Sequence, residues 1–295
     1  MNSSFWILLT ACLVAVTCGL VGTFLVLRRM VLMGDAISHA VLPGLVGGFL
    51  LSGSRDPLVM LLGAGAVGVL TAWLTEWVHR SGRVDTGASM GVVFTFLFAL
   101  GVILVSAFAG QIDLDPDCVL YGEIAYVAYN TVLWGERDLG PRAVWLLGGA
   151  LLFNLFLIVA FYKQLKICAF DPELAESLGI RTATYHYLLM IATAITTVAA
   201  FESVGAILVV AMLVVPPATA LLLTQRLSGV LILASLIGCL SAGLGYSLAS
   251  AADCSIAGAM AVAAGVLFLL TFLFSPRHGL VTRAWFRQRS LLAEE

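Results

Sequence analysis

"TYHYLLMIATAITTVAAFESVGAILVVAMLVVPPATALLLT", residues 184–224, contains one acid and no lysine or arginine. As a single helix rising 1.5 Å per residue it would extend about 60 Å, roughly twice a bilayer core of about 30 Å. It must therefore cross twice, and Glu202-Ser203 is the natural place to fold it into a hairpin. The rest of the chain has the same character. Of its 295 residues 61% are hydrophobic and 11% charged, with a mean hydropathy of +1.06. A soluble domain averages about 45–50% apolar and about 25% charged. Apolar runs follow one another at 5–27, 34–52, 57–79, 88–109, 142–163, 184–201, 204–224, 228–250 and 256–274. Each can satisfy its backbone in lipid only as a helix, and the ten-residue alternation of a membrane barrel is absent. The expected fold is an all-α polytopic bundle of about nine spans (eight to nine), residues 1–295 forming one transmembrane domain.

Charge placement orients the bundle. Arg28, Arg29, Arg80, Arg83, Lys163, Lys166, Arg181, Arg226, Arg277, Arg283, Arg287 and Arg289 fall on one side of such a nine-span model. Only Arg55, Arg137 and Arg142 fall on the other. The positive-inside rule makes the first side cytoplasmic, which puts the N-terminus outside and leaves 275–295 as a cytoplasmic tail. The opening "MNSSFWILLT" lacks the basic region of a signal peptide, so the first run is expected to stay as a helix. The external stretch 110–141 carries six acids against Arg137 alone. It reads as a solvated loop or as a cation-attracting vestibule. Within it, 119–134 could lie at the interface as a short helix, with Tyr121, Tyr126, Tyr129 and Trp134 as belt aromatics. The six cysteines are scattered without a C-x-x-C and read as small hydrophobes. Cys118 and Cys254 fall outside the membrane, and the sequence leaves their pairing open.

The longest cytoplasmic loop contains "FDPELAESLGI", 170–180. Asp171 is placed to cap a helix whose first residue is Pro172. Glu173 and Glu176 add acid to the first turns, and Gly179 is the stop. Leu174 and Leu178, four apart, share a face. A two-turn helix results, either resting on the membrane or pegging into a groove on a cytoplasmic protein. The chain has no G-x-x-x-x-G-K and cannot hydrolyse ATP itself.

"MGDAISHAVLPG", 33–44, places Asp35 and His39 four residues apart inside an apolar run. On a helix they share one face, where a carboxylate oxygen and an imidazole nitrogen can hold one divalent cation. Ser38 lies on an adjoining face as possible support. Two ligands are few, and two copies of the chain would supply four. A mixed N/O set suits manganese, zinc or ferrous iron. The plainer reading makes Gly34-Asp35 a turn and cap, and His39 a buried histidine. Ionisable groups inside a membrane are costly and usually functional. Pro43-Gly44 is expected to break the helix just beyond. Glu202 reads equally as a hairpin tip or as a gate over a cation path. Pro216-Pro217 is a structural kink or a moving gate element. Asn154 suits interhelical bonding. Glu76 and His79 fall at the inner interface, and His186 draws no role.

Four stretches in order resemble one family. "LRRMVLMGDAISHAVLPGLVGGFLL" (27–51) is similar to the signature of the membrane permease subunits of ABC importers for manganese, zinc and iron. "FDPELAESLGI" resembles their coupling helix, "SVGAILVVAMLVVPPATA" (203–220) a late core segment, and "LFLLTFLFSPRHGL" (267–280) their C-terminal end. The chain departs from the family in "DCSIAGA" (253–259), where relatives often show Pro-Thr-Gly, and in its doubled proline. The resemblance implies that Asp35 and His39 line the metal path. It also implies that Asp171, Pro172, Glu173, Leu174, Leu178 and Gly179 dock on a cytoplasmic ATPase subunit. An extracytoplasmic metal-binding protein and a second permease subunit are the other expected partners, in a bacterial plasma membrane. No permanently bound cofactor and no covalent chemistry are expected. Two rivals remain: an ion-coupled secondary carrier using Asp35 and Glu202 as a relay, and an intramembrane metalloenzyme. The latter lacks an H-E-x-x-H and an evident third ligand.

Overall fold

The computed structural model describes residues 3–52, 57–82, 84–108, 124–134 and 137–275. Helix α1 (Ser3–Leu27) is followed by two short helices, α2 (Met33–Ala40) and α3 (Leu42–Ser52), then by α4 (Pro57–Gly82) and α5 (Thr86–Phe108). After a short 3-10 helix (Ile124–Tyr129), strands β1 (Thr131–Trp134) and β2 (Arg137–Pro141) pair antiparallel, with Leu133 opposite Asp138. The helices α6 (Arg142–Ala160), α7 (Tyr162–Phe170), α8 (Pro172–Ser177), α9 (Thr182–Val204), α10 (Ala206–Leu223), α11 (Leu227–Ala252) and α12 (Ile256–Phe274) complete the order. Among the described residues eight stretches are long and apolar enough to cross a membrane, α2 and α3 together counting as one. Helix α4 adds a ninth long helix, with no charged residue between Pro57 and Thr75. The all-α polytopic architecture is as expected.

Helix α1 is the centre of the packing, with 72% of its spanning window buried, and α10, α11 and α6 lie against it. Helices α3, α4 and α5 form a second group, which α9 joins to the first through α4. In lipid, helices gain little from apolar burial and instead associate through close backbone approach. Gly44 and Gly63 show this. A Cβ on Gly44 would fall 2.4 Å from the Gly63 carbonyl oxygen, and one on Gly63 would fall 2.3 Å from that of Gly44. Across α6 and α9 the Asn154 amide donates to the Thr196 hydroxyl at 2.6 Å, the interhelical bond expected of it.

Three local expectations are corrected. The turn expected at Glu202-Ser203 falls at Gly205 instead, and both residues remain in the last turn of α9. Gly205 has φ +79°, a conformation that costs glycine nothing and strains a residue with a Cβ. The break expected at Pro43-Gly44 falls at Val41, and Pro43 sits in the first turn of α3. Proline has no N–H to give the His39 carbonyl four residues back, so the ladder stops before it, whereas the first turn of the next helix needs no such bond. The Val41 carbonyl accepts from Gly44 N and Leu45 N at 2.9 and 3.1 Å, so the break is a tight joint rather than a loop. The stretch 119–134 is not one interfacial helix; its described part is the short 3-10 helix and strand β1. Tyr126 and Tyr129 are exposed there. Cys118, the acids of 110–123 and the tail beyond Ser275 lie outside the described residues.

Candidate metal path and helix α8

Helix α2 has only eight residues, too short to hold itself together, so its neighbours α5, α9 and α4 fix its position. Asp35 lies in its first turn and His39 in its last, the charge order that the helix dipole favours. The pair is brought together, with His39 Nε2 3.4 Å from Asp35 Oδ1. Both side chains are half-exposed, at 31% and 41%. Leu32 occupies the cap position of α2 without a side-chain bond, so Asp35 is not serving as the cap. The His39 ring lies 6.2 Å from that of Phe94 and 6.1 Å from that of Phe98, both on α5. Ser38 is turned away and buried, its hydroxyl donating to the Gly34 carbonyl at 2.9 Å.

The depth of this pair follows from its neighbours. Gly34 packs against Leu213 of α10 and Thr197 of α9, and Ile37 meets Ala194 and Val198 of α9 around Gly68 of α4. Thr197 is the sixteenth of the 23 residues of α9. The Asp35 helix therefore sits about 22 Å along α9 from its start, deep within the bundle. The open flank beside it is α5, of whose spanning window only 17% is buried. Among the described residues no three His, Cys, Asp or Glu side chains come together to hold a metal. One chain thus presents a carboxylate and an imidazole on a half-open face.

Glu202 is helical at the far end of α9, and nothing is described of its side chain. Helix α10 runs unbroken through Pro216 and Pro217, which are both buried. The two prolines leave the Met212 and Leu213 carbonyls without their usual donors. Gly22 of α1 fits against the second of these: a Cβ there would lie 2.0 Å from Leu213 O.

Helix α8 has the predicted local chemistry. Asp171 Oδ1 accepts from Leu174 N at 3.0 Å and Pro172 follows at the first helical position. At its end Gly179, φ +77°, donates to Glu176 O, and Ile180 donates to Ala175 O. These two bonds form a Schellman stop. Leu174 and Leu178 stand 48% and 61% exposed on its outer face. Replacing Asp171 by Ala is expected to cost about 1 kcal/mol of this helix. Hydrogen exchange at the Leu174 amide should rise about fivefold, and an unchanged rate would deny Asp171 its capping role.

A cluster absent from the sequence reading lies beside α8. Glu76 of α4 is buried, and its Oε2 accepts from His186 Nε2 of α9 at 2.8 Å. Its Oε1 accepts from Arg80 Nε. Arg28, just past α1, donates through Nη1 to His186 Nδ1 at 3.2 Å. Burial lowers the Arg28 pKa from its ordinary value, while its hydrogen bond to Glu76 raises that of Arg80. The cluster borders a cleft of about 240 Å³ that also meets Met30, His79, Pro172 and Thr182. These partners are 110 and 158 residues apart, so no local pattern could have revealed them.

Comparison with known proteins agrees with this architecture. Residues 2–275 match the model of the ABC 3 transport family. The chain is 52% identical over 283 residues to the manganese transport system membrane protein MntD of Bacillus subtilis, covering 96% of each. It is 47% identical to the zinc transport system membrane protein TroD of Treponema pallidum, covering 94% of this chain and 75% of that one. Among solved structures, PsaBC from Streptococcus pneumoniae in complex with Fab superposes with a TM-score of 0.78 at 32% identity, over 94% of each chain. These relatives are transport subunits rather than enzymes. The chain belongs to the ABC 3 transport family and is a multi-pass membrane permease subunit.

Proposed function

We propose that the chain is the permease of an ATP-driven importer of manganese or zinc, with Asp35 and His39 as transient ligands of the ion. The observation that carries this reading is the Asp35–His39 pair, half-exposed at mid-bundle beside the open face of α5. Bare in lipid, an acid and an imidazole would be costly. Covered by a second permease subunit, two such pairs form a four-ligand N/O site, open enough to release its cargo. An extracytoplasmic metal-binding protein delivers the ion. Cytoplasmic ATPase subunits grip the α8 helices through Leu174 and Leu178 and drive alternating access. The N-terminus lies outside and the C-terminus inside the bacterial plasma membrane, in accord with the basic-residue count. The names of the relatives carry manganese and zinc, which narrows the choice from the three metals the ligand types allow.

Cellular metal content by mass spectrometry tests this in a bacterium deficient in metal uptake, expressing the chain with and without its ATPase subunit. Manganese or zinc is expected to rise only when both are present, and to keep rising under an uncoupler while ATP is held constant. Uptake that needs no ATPase and collapses with the uncoupler would establish the ion-coupled carrier instead.

A further inference from the structure

We propose that His186 is a positioning strut that passes movement of α8 to the metal-bearing helix α2; this rests on the permease reading above. The contacts form one unbroken line. In α8, Glu176 Oε1 accepts from the Thr182 hydroxyl at 2.7 Å, and Thr182 is the first residue of α9. His186 lies one turn further along the same face. From there the line divides to Glu76 on α4 and to Arg28 at the end of α1. Arg28 is followed by a turn with no slack. Arg29 takes φ +58°, Met30 N donates to Leu25 O at 2.9 Å, and Met33 N donates to Met30 O at 3.1 Å. Met33 opens α2, two residues before Asp35.

The chemistry of the middle link is specific. Arg28 has donors only, so Nδ1 of His186 must accept. Nε2 then carries the hydrogen and donates to the Glu76 carboxylate. One neutral imidazole thus joins a donor on one helix end to an acceptor on another, and it is only 13% exposed. A side chain that merely filled this volume would satisfy neither partner. Glutamine can do both, because its amide N–H can reach Glu76 while its carbonyl accepts from Arg28. The cleft beside the cluster leaves room for it to shift as Pro172 and Thr182 move.

A strut differs from a structural bond in what its loss changes, which is the coupling between two sites and not either site alone. The test uses the chain reconstituted in vesicles with its ATPase, its second permease subunit and the metal-binding protein, measuring radioactive manganese or zinc moved per ATP hydrolysed. His186→Ala is expected to keep ATP hydrolysis within about twofold while the ratio falls about tenfold, inside the roughly 5–150-fold span of such couplings. His186→Gln is expected to stay near wild type. An unchanged ratio in His186→Ala overturns the proposal. So does equal loss in the Ala and Gln variants, which would mark a packing role. Should His186→Ala fail to insert, Thr182→Val decides, because its bond is at the surface: a fallen ratio supports the strut and a wild-type ratio overturns it. Wild-type vesicles that move no metal with ATP would instead refute the permease reading itself, before any variant is read.

Discussion

Asp35→Asn is expected to abolish metal accumulation while leaving the protein folded and inserted. Asparagine keeps the shape and one oxygen of the aspartate but loses the charge that attracts a divalent cation. Metal content should fall more than tenfold, the equivalent of at least about 1.4 kcal/mol of ion binding. His39→Ala, which removes the nitrogen ligand, should do the same. The structure gives a reason to expect normal folding in both. Asp35 caps nothing, and its contact with His39 is a half-exposed pair 3.4 Å apart, of a kind worth about 0–1 kcal/mol. His39 touches Phe94 and Phe98 only at ring distance. Function and stability therefore separate cleanly here. Insertion is read from the amount of protein in membranes, and transport from mass spectrometry of the same cells. Wild-type accumulation by Asp35→Asn would make the pair a bystander and leave the path elsewhere.

The second large effect concerns stability. Gly22→Ala is expected to destabilise the bundle at or beyond the upper end of the ~1–3 kcal/mol typical of overpacking. The new methyl would fall 2.0 Å from the Leu213 carbonyl oxygen and 2.8 Å from its carbon, both backbone atoms that cannot rotate aside. Helices α1 and α10 would have to part, and α1 has 72% of its spanning window buried. The same movement would loosen Leu213 from Gly34, next to the proposed metal ligand. The control is Gly47→Ala, where nothing lies within 4 Å of the added methyl, so it meets no steric opposition. Thermal unfolding of the detergent-solubilised protein compares them. A lowered midpoint for Gly22→Ala with none for Gly47→Ala is expected, and equal midpoints would refute the close approach of α1 and α10.

Legibility in the sequence followed the range of the interaction. The ends of α8 could be read because capping is local: Asp171, Pro172 and Gly179 act within a few residues of themselves. The Asp35–His39 juxtaposition could be read because four residues is one helical turn. The double crossing of 184–224 is legible from length, but the position of its turn is not. The eye goes to Glu202 and Ser203 as polar residues, while the bend is set by backbone freedom at Gly205. The joint at Val41 lies two residues before Pro43 for a related reason, since a proline breaks the ladder behind itself and not at its own position. The joining of Glu76 and Arg28 through His186 could not be read at all, because both bonds link elements distant in sequence.

The Gly44–Gly63 contact has a consequence for entropy. Ordering a side chain on folding costs up to about 2 kcal/mol in lost rotamers, and glycine has none to lose. Its usual penalty is the backbone freedom of an unfolded chain, yet in a membrane the separated helices are already helical and that freedom has already gone. Two helices meeting through bare backbone therefore dock with almost no loss of disorder, so even weak contact forces suffice to hold α3 against α4.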